Sequence, residues 1–351
     1  MSDSDRGAIL IICTGGTITM SVDPGTGALA PFRFDQMNQQ IPEIKKFSFR
    51  IDTIQFSPLL DSSEVGPSDW IRMAQTIYDA YDRYDGFVVL HGTDTMAYSA
   101  SALSFMLQNL NKPVIFTGSQ LPIGMVRTDG KENLITAIEI AACKDGAMPM
   151  VPEVCIFFEN TLWRGNRTTK KNAELFNAFG SYNYPALATA GVHIRYNRSV
   201  IHHEEEDTPL ILHKLIDTNI AVLKLFPGIT ENYVKAVFST PGLRAVIMES
   251  FGAGNAPSHN WLIRELRAAA DKNIIIVNVT QCNTGSVEMG RYKTSIHLLD
   301  SGVMSGYDIT TESAVTKLMI LLGHNQDPDI IKQKMNCSFC GEITVNDASI
   351  F

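Results

Sequence analysis

Short runs of uninterrupted apolar residues alternate along the chain with stretches whose apolar residues recur every three or four positions. The runs 8–13 (AILIIC), 86–90 (GFVVL), 114–117 (VIFT) and 154–158 (VCIFF) have no polar face, which predicts strands buried on both sides. Residues 49–56 alternate well enough for another strand. Between the runs, Trp70, Met73, Ala74, Ile77, Tyr78 and Tyr81 follow helical spacing behind Ser68, read as the cap. Helices are also expected over 97–110 and 132–144. Strands alternating with helices predict a mostly parallel sheet with right-handed crossovers. After a polar, acidic stretch the alternation resumes, with strands near 221–225, 245–250 and 274–279. Helices follow near 231–238, 260–271 and 311–322, the last closed by Gly323. The expected fold class is therefore α/β: a larger N-terminal domain over 1–194 with helices flanking a mostly parallel sheet, a linker over 195–210, and a smaller α/β domain over 211–351.

Two of the apolar runs end alike. Residues 8–13 lead into Thr14-Gly15-Gly16-Thr17-Ile18, and 86–90 lead into His91-Gly92-Thr93-Asp94-Thr95-Met96. Open parallel sheets hold their ligands at the carboxyl ends of strands, and glycine lets backbone N–H groups approach closely. The two threonine-bearing ends are read as one shared site, although each taken singly is an ordinary turn. His91 is read as a structural residue at a strand end rather than a base. Residues 21–31 (SVDPGTGALAP) predict a mobile loop over that site. The stretch 161–172 gathers Arg164, Arg167, Lys170 and Lys171, for which a solvated loop is the plain reading.

Composition narrows the function. A formal charge of −8 argues against a nucleic-acid partner and suits a small polar or zwitterionic substrate. Neither a secretory leader nor a membrane span is visible, and the six cysteines are scattered, so a cytoplasmic protein with reduced thiols is expected. Cys337-Ser338-Phe339-Cys340 has metal-ligand spacing without a second pair, and His202-His203 sits among carboxylates in the linker; neither is read as a metal site. TGGT lacks the lysine of a phosphate-binding loop. No metal and no organic cofactor are expected.

Together, TGGTI (14–18) and HGTDTM (91–96) resemble the two signature stretches of the bacterial-type L-asparaginases, closest to the cytoplasmic type I branch. Further matches lie at Asp61-Ser62-Ser63, Thr117-Gly118-Ser119-Gln120, Arg164-Gly165-Asn166-Arg167-Thr168-Thr169-Lys170 and Gly252-Ala253-Gly254-Asn255-Ala256-Pro257. The resemblance implies hydrolysis of L-asparagine to L-aspartate and ammonia by a homodimer or homotetramer. Residue by residue, it implies Thr17 as nucleophile and Thr93, Asp94 and Lys170 as a proton-handling group. Ser62, Ser63 and Ser119 are implied as substrate contacts, the first two for the α-carboxylate, and Asp94 pairs with the α-ammonium. Amide hydrolysis needs such a set: a nucleophile, a base, a donor to the developing oxyanion and a proton for the leaving ammonia.

Two departures stand out. Family members commonly carry a tyrosine in the mobile loop, whereas Ala28 aligns there, so activation of Thr17 runs through Lys170 and Thr93 or through a tyrosine from elsewhere. Some type I relatives also bind a second asparagine near a Thr-Gln-Cys stretch, matched here by Thr280-Gln281-Cys282. Glu249 stands where those relatives place an arginine, which predicts hyperbolic kinetics. Two rival functions remain open: a catalytically silent amino-acid sensor, and the amidase subunit of a tRNA-dependent amidotransferase. The latter normally carries an added N-terminal domain, for which residues 1–7 leave no room.

Overall fold

In the computed structural model, which describes residues 7–22, 25, 29–31, 41–203, 208–290 and 293–344, the apolar runs form the middle of one sheet. The chain divides into two compact units, Met1–His213 and Lys214–Phe351. In the first, the strands of the main sheet and of the hairpin beside it are β1 (Ala8–Gly15), β2 (Arg50–Leu60), β3 (Gly86–Leu90), β4 (Val114–Thr117), β5 (Val154–Phe158), β6 (Thr161–Arg164), β7 (Thr169–Lys170), β8 (Phe179–Gly180), β9 (Ala188–Ala190) and β10 (Ile194–Tyr196). The eight-stranded sheet has the order β10-β9-β6-β5-β4-β3-β1-β2. The pairs from β5 through β2 are parallel, and β6, β9 and β10 extend the sheet by antiparallel pairing.

All residues of β1, β3, β4 and β5 are buried, as uninterrupted apolar runs require when helices cover both faces. Strand periodicity splits them: Ile9, Ile11, Val88, Ile115 and Phe157 join a core with Leu134, Ile138 and Ala141 of α3 (Gly130–Ala142), while Leu10, Ile12, Phe87 and Val89 face the other side. β2 is an edge strand and is correspondingly half exposed.

Helix boundaries differ from the sequence reading where a local contact overrides periodicity. α1 is Pro67–Ala80, so Ser68 lies inside its first turn; Gly66 is the cap residue and its N–H donates to Asp69 Oδ2 at 3.0 Å. α2 is Met96–Met106 rather than 97–110, because Leu107–Gln108 pairs with Ile211–Leu212 and Asn109 takes φ 63°. The expected linker over 195–210 is partly built into the first unit. Arg195 and Tyr196 belong to β10, Ile201 enters the core, and the His202 N–H bonds to Glu153 Oε1 at 2.5 Å. Polarity read from sequence could not show this pairing. The centre of that stretch, 204–207, and most of the expected loop over 21–31, including Ala28, lie outside the described residues; the described flanks Met20–Val22 and Leu29–Pro31 pair antiparallel.

The second unit holds a parallel sheet of β11 (Ile220–Lys224), β12 (Ala245–Ser250), β13 (Ile275–Thr280) and β14 (Val303–Ser305), in that order. Helices α4 (Glu231–Phe238) and α5 (Asn260–Ala270) supply Val234, Leu262 and Leu266 to its core. α6 runs Thr311–His324, so Gly323 is not the residue that closes it. The glycine is needed there for close approach: a Cβ would fall 2.3 Å from the carbonyl oxygen of Leu215. Lys317 in α6 is fully buried against Glu342 at 2.6 Å, and its ammonium also donates to Met335 O at 3.0 Å. Burial alone would raise the Glu342 carboxyl, but Lys317 and backbone N–H donors outweigh it and hold the group below the ordinary glutamate value. The residues after α7 (Pro328–Met335) are thereby tied to the unit.

Candidate active site

The carboxyl ends of β1, β2 and β3 meet at one point. After Cys13 the pairing of β1 with β2 slips, so that Cys13 opposes Gln55 but Gly15 opposes Leu60. The extra residues lie on β2, which bulges beside the end of β1. A Cβ on Gly16, whose φ is 86°, would stand 2.4 Å from Gly92 N, and one on Gly92 would stand 2.4 Å from Ser62 Oγ. Only glycine permits both contacts. They place Thr17 and Thr93 each one residue beyond the same backbone contact, and Ser62 beside it.

Lys170 enters from β7, held in its two-residue pairing with β8. Its Nζ donates to Thr93 Oγ1 at 2.8 Å and to Asp94 Oδ1 at 2.6 Å. The other Asp94 oxygen lies 3.4 Å from Ser62 Oγ. Four of the residues expected from sequence are thus joined across more than a hundred positions. Thr17 opens the short turn Thr17–Thr19 and is half-buried, with no side-chain hydrogen bond to Thr93, Asp94 or Lys170. Ser63 is exposed and its hydroxyl donates to Asp61 Oδ1 at 2.9 Å; Ser119 is buried and donates to Leu121 O at 2.6 Å. Neither hydroxyl joins the Lys170 cluster. Cys13, four residues before Thr17, is no rival nucleophile, because burial pushes its thiol up to about 12 and keeps it protonated.

His91 is fixed as a prop. Gly92 O, 2.7 Å from Nδ1, can only accept, so Nδ1 carries the proton and Nε2 accepts from Ser99 Oγ at 2.9 Å. Ser99 in turn accepts from Trp70 Nε1 at 3.0 Å. Burial pushes the ring down to about 4, so it is neutral near pH 7 and holds the Gly92 carbonyl without acting as a base.

The basic stretch 161–172 is not the solvated loop that its composition suggests. Arg164 and Arg167 are buried, and Arg164 forms a two-pronged pair with Glu153 at 2.5 and 3.0 Å under the ring of Tyr184. That pairing anchors the segment that carries Lys170. Sequence reasoning also missed Gln120, whose Oε1 lies 3.4 Å from Thr93 Oγ1, and Asp129, which accepts from the Gln120 and Leu121 N–H groups. The Thr-Gly-Ser-Gln stretch was the available signal for Gln120; nothing local marked Asp129.

In the second unit, Glu249 accepts from Thr311 Oγ1 at 2.8 Å and lies 3.5 Å from Lys224 Nζ. Gln281 Nε2 donates to Leu225 O and Glu249 O, and Thr280 Oγ1 donates to Gly252 O. The Thr-Gln-Cys stretch therefore ties strand ends together through its first two residues, leaving the Cys282 thiol exposed. Among the described residues no group of three or more His, Cys, Asp or Glu could hold a metal, and no helix is long and apolar enough to cross a membrane.

Comparison with known proteins identifies the family. The profile "Asparaginase, N-terminal" matches residues 8–202, and "Glutaminase/Asparaginase C-terminal domain" matches 219–335. The chain is 43% identical over 346 residues to L-asparaginase 1 of Escherichia coli (strain K12), covering 97% of this chain and 99% of that one. It is 39% identical over 358 residues to the 60 kDa lysophospholipase of Homo sapiens, covering 96% of this chain and 61% of that one. The crystal structure of L-asparaginase I from Vibrio cholerae O1 biovar eltor str. N16961 superposes with a TM-score of 0.88 at 40% identity, covering 97% of this chain and 100% of that one. With both profiles spanning most of its length and a fold to match, the chain belongs to the asparaginase family.

Proposed function

We propose that this chain hydrolyses L-asparagine to L-aspartate and ammonia through a threonine nucleophile. The observation that carries the reading is the position of Lys170 Nζ, 2.8 Å from Thr93 Oγ1 and 2.6 Å from Asp94 Oδ1, beside the backbone contact that presents Thr17. Thr17 Oγ1 bonds to the amide carbon, its proton passes by way of Thr93 to Lys170, and the amide nitrogen leaves as ammonia once protonated. Water then attacks the Thr17 ester and releases aspartate, returning the hydroxyl. Asp94, open to solvent on one side, serves the α-ammonium of the substrate, with Ser62 and Ser63 toward its α-carboxylate and Ser119 as a further substrate contact.

An ammonium at Lys170 balances Asp94. Substrate binding brings a second ammonium to that carboxylate, so Asp94 then pairs with the substrate as well as with Lys170. A carboxylate open to an incoming ammonium supports an amino-acid amide over a simple amide. The test is ammonia release by the purified chain. Wild type is expected to act on L-asparagine faster than on L-glutamine, and Thr17→Ala to retain less than about a hundredth of wild-type kcat with the fold intact. Silence of wild type on L-asparagine favours the sensor reading; an active Thr17→Ala moves the nucleophile to Thr93. Light scattering reads whether the chain is the homodimer or homotetramer that the resemblance implies.

A further inference from the structure

Thr93 has one hydroxyl proton and two neighbours that can take it. Lys170 Nζ is 2.8 Å away and Gln120 Oε1 is 3.4 Å away, a long contact for a hydroxyl donor. When Lys170 is an ammonium it can only donate, so Thr93 accepts from it and the Thr93 proton turns to Gln120. When Lys170 is a free amine, its lone pair competes for that proton. Gln120 and Lys170 are alternative acceptors for one hydrogen.

Gln120 is held so that it can play this part. Its Nε2 donates to Leu175 O at 3.1 Å, and because a carbonyl only accepts, the amide must point its nitrogen there and its oxygen at Thr93. Its backbone N–H donates to both oxygens of Asp129, at 3.1 and 3.0 Å. Asn133, buried in α3, steadies the same segment from behind by donating to Gly118 O at 3.0 Å and to Asp129 Oδ2 at 3.3 Å. The side chain is therefore oriented at both ends before any ligand arrives.

Resting on the asparagine-hydrolysis reading above, we infer that Gln120 is a positioning residue that sets the direction of proton flow through Thr93. Its Oε1 parks the Thr93 proton while Lys170 is charged, which keeps a Thr93 lone pair facing the ammonium. Once Lys170 is an amine, the Thr93 hydrogen turns away from Gln120 and moves from Thr93 Oγ1 to Nζ, while Thr93 Oγ1 takes the proton of Thr17. One proton enters Thr93 and one leaves it, so the relay balances. Gln120 itself neither gains nor loses a proton.

The test compares Gln120→Met, which keeps the length but removes both polar ends, with Gln120→Glu, which keeps an oxygen acceptor and loses the donor to Leu175. Steady-state kinetics on L-asparagine and thermal midpoints are measured for both, beside wild type, Lys170→Met and Lys171→Met. Gln120→Met is expected to lower kcat by roughly 10- to 100-fold with KM and thermal midpoint little changed, the scale of misplacing a reacting group. Gln120→Glu is expected to recover a large part of that loss, because acceptance rather than packing is at stake. The inference is overturned if Gln120→Met turns over like wild type while Lys170→Met is dead. It is equally overturned if both Gln120 variants lose kcat alike with a fall in thermal midpoint, since Gln120 then merely supports the Leu175 segment. Wild type that releases no ammonia overturns the hydrolytic reading as well, and so is distinguishable from either result.

Discussion

Two cations of one twelve-residue basic stretch, Arg164 and Lys170, form ion pairs that are built in opposite ways. Arg164 and Glu153 are 4% and 6% exposed, paired through two hydrogen bonds, capped by Tyr184 and joined by the Val200 carbonyl and the His202 N–H. Lys170 and Asp94 are 18% and 62% exposed, and each has a further polar neighbour, Thr93 or Ser62, at hydrogen-bond range. The first pair is saturated. Burial by itself would push the Arg164 guanidinium down from its ordinary value, but Glu153 outweighs it and holds the group charged at every accessible pH. The second leaves its carboxylate open to an incoming cation. An ion pair so exposed on one side contributes only ~0–1 kcal/mol to stability. The fully buried pair is thus built as scaffold, and the pair open on one side is the one proposed to carry the chemistry.

The largest effect that could break this contrast is on turnover. Lys170→Met is expected to lower kcat by roughly 10²–10⁴-fold while changing stability by no more than about 1 kcal/mol. Lys171→Met, exposed beside it, should stay active. Equal kcat values for the two variants would remove the proton role from Lys170.

Arg164→Met tests the other side. It leaves Glu153 buried without its partner, so urea unfolding should show a loss of about 3–5 kcal/mol. The molecules that remain folded should keep nearly normal kcat. A stable but inactive Arg164→Met would mean that the buried pair belongs to the site after all.

His91 sharpens the comparison through pH. Its ring is held at about 4 in the folded chain against an ordinary value of 6.5. Between those values the unfolded chain binds a proton that the folded chain does not, so stability falls as pH drops from about 6.5 through about 4 and levels off below. The full loss from this one group is on the order of 3 kcal/mol. Following the His91 ring signals by NMR checks it: they should remain those of a neutral imidazole down to about pH 5, and titration near 6.5 would show the ring to be solvated.

The smallest effect belongs to a pair that is open on both sides. Arg198 and Asp145 are 63% and 55% exposed, so Asp145→Ala should cost less than about 1 kcal/mol and leave kcat unchanged. A larger loss by urea unfolding would show that exposure is a poor guide here.

The order of strands and helices was legible in the sequence because an apolar run buried on two faces needs no distant partner to be recognised. Val114–Thr117, Val154–Phe158, Ala245–Ser250 and Glu231–Phe238 all form where composition and periodicity put them. The strand ends carrying Thr17 and Thr93 were legible for the same local reason, helped by glycines that only a tight approach requires. Family likeness supplied Lys170, whose own neighbourhood reads as a charged surface. Only the tertiary structure could separate Lys170 from Arg164, because burial is a property of what packs against a side chain and not of the residues beside it in the chain. Only the fold, likewise, could set Lys170 Nζ within 2.8 Å of a hydroxyl 77 positions away, turn the Gln120 amide by means of the Leu175 carbonyl, and choose the tautomer of His91 through Gly92 and Ser99. The physical reason is the same in each case: a hydrogen bond has a direction, and direction is decided by partners that the chain order does not reveal.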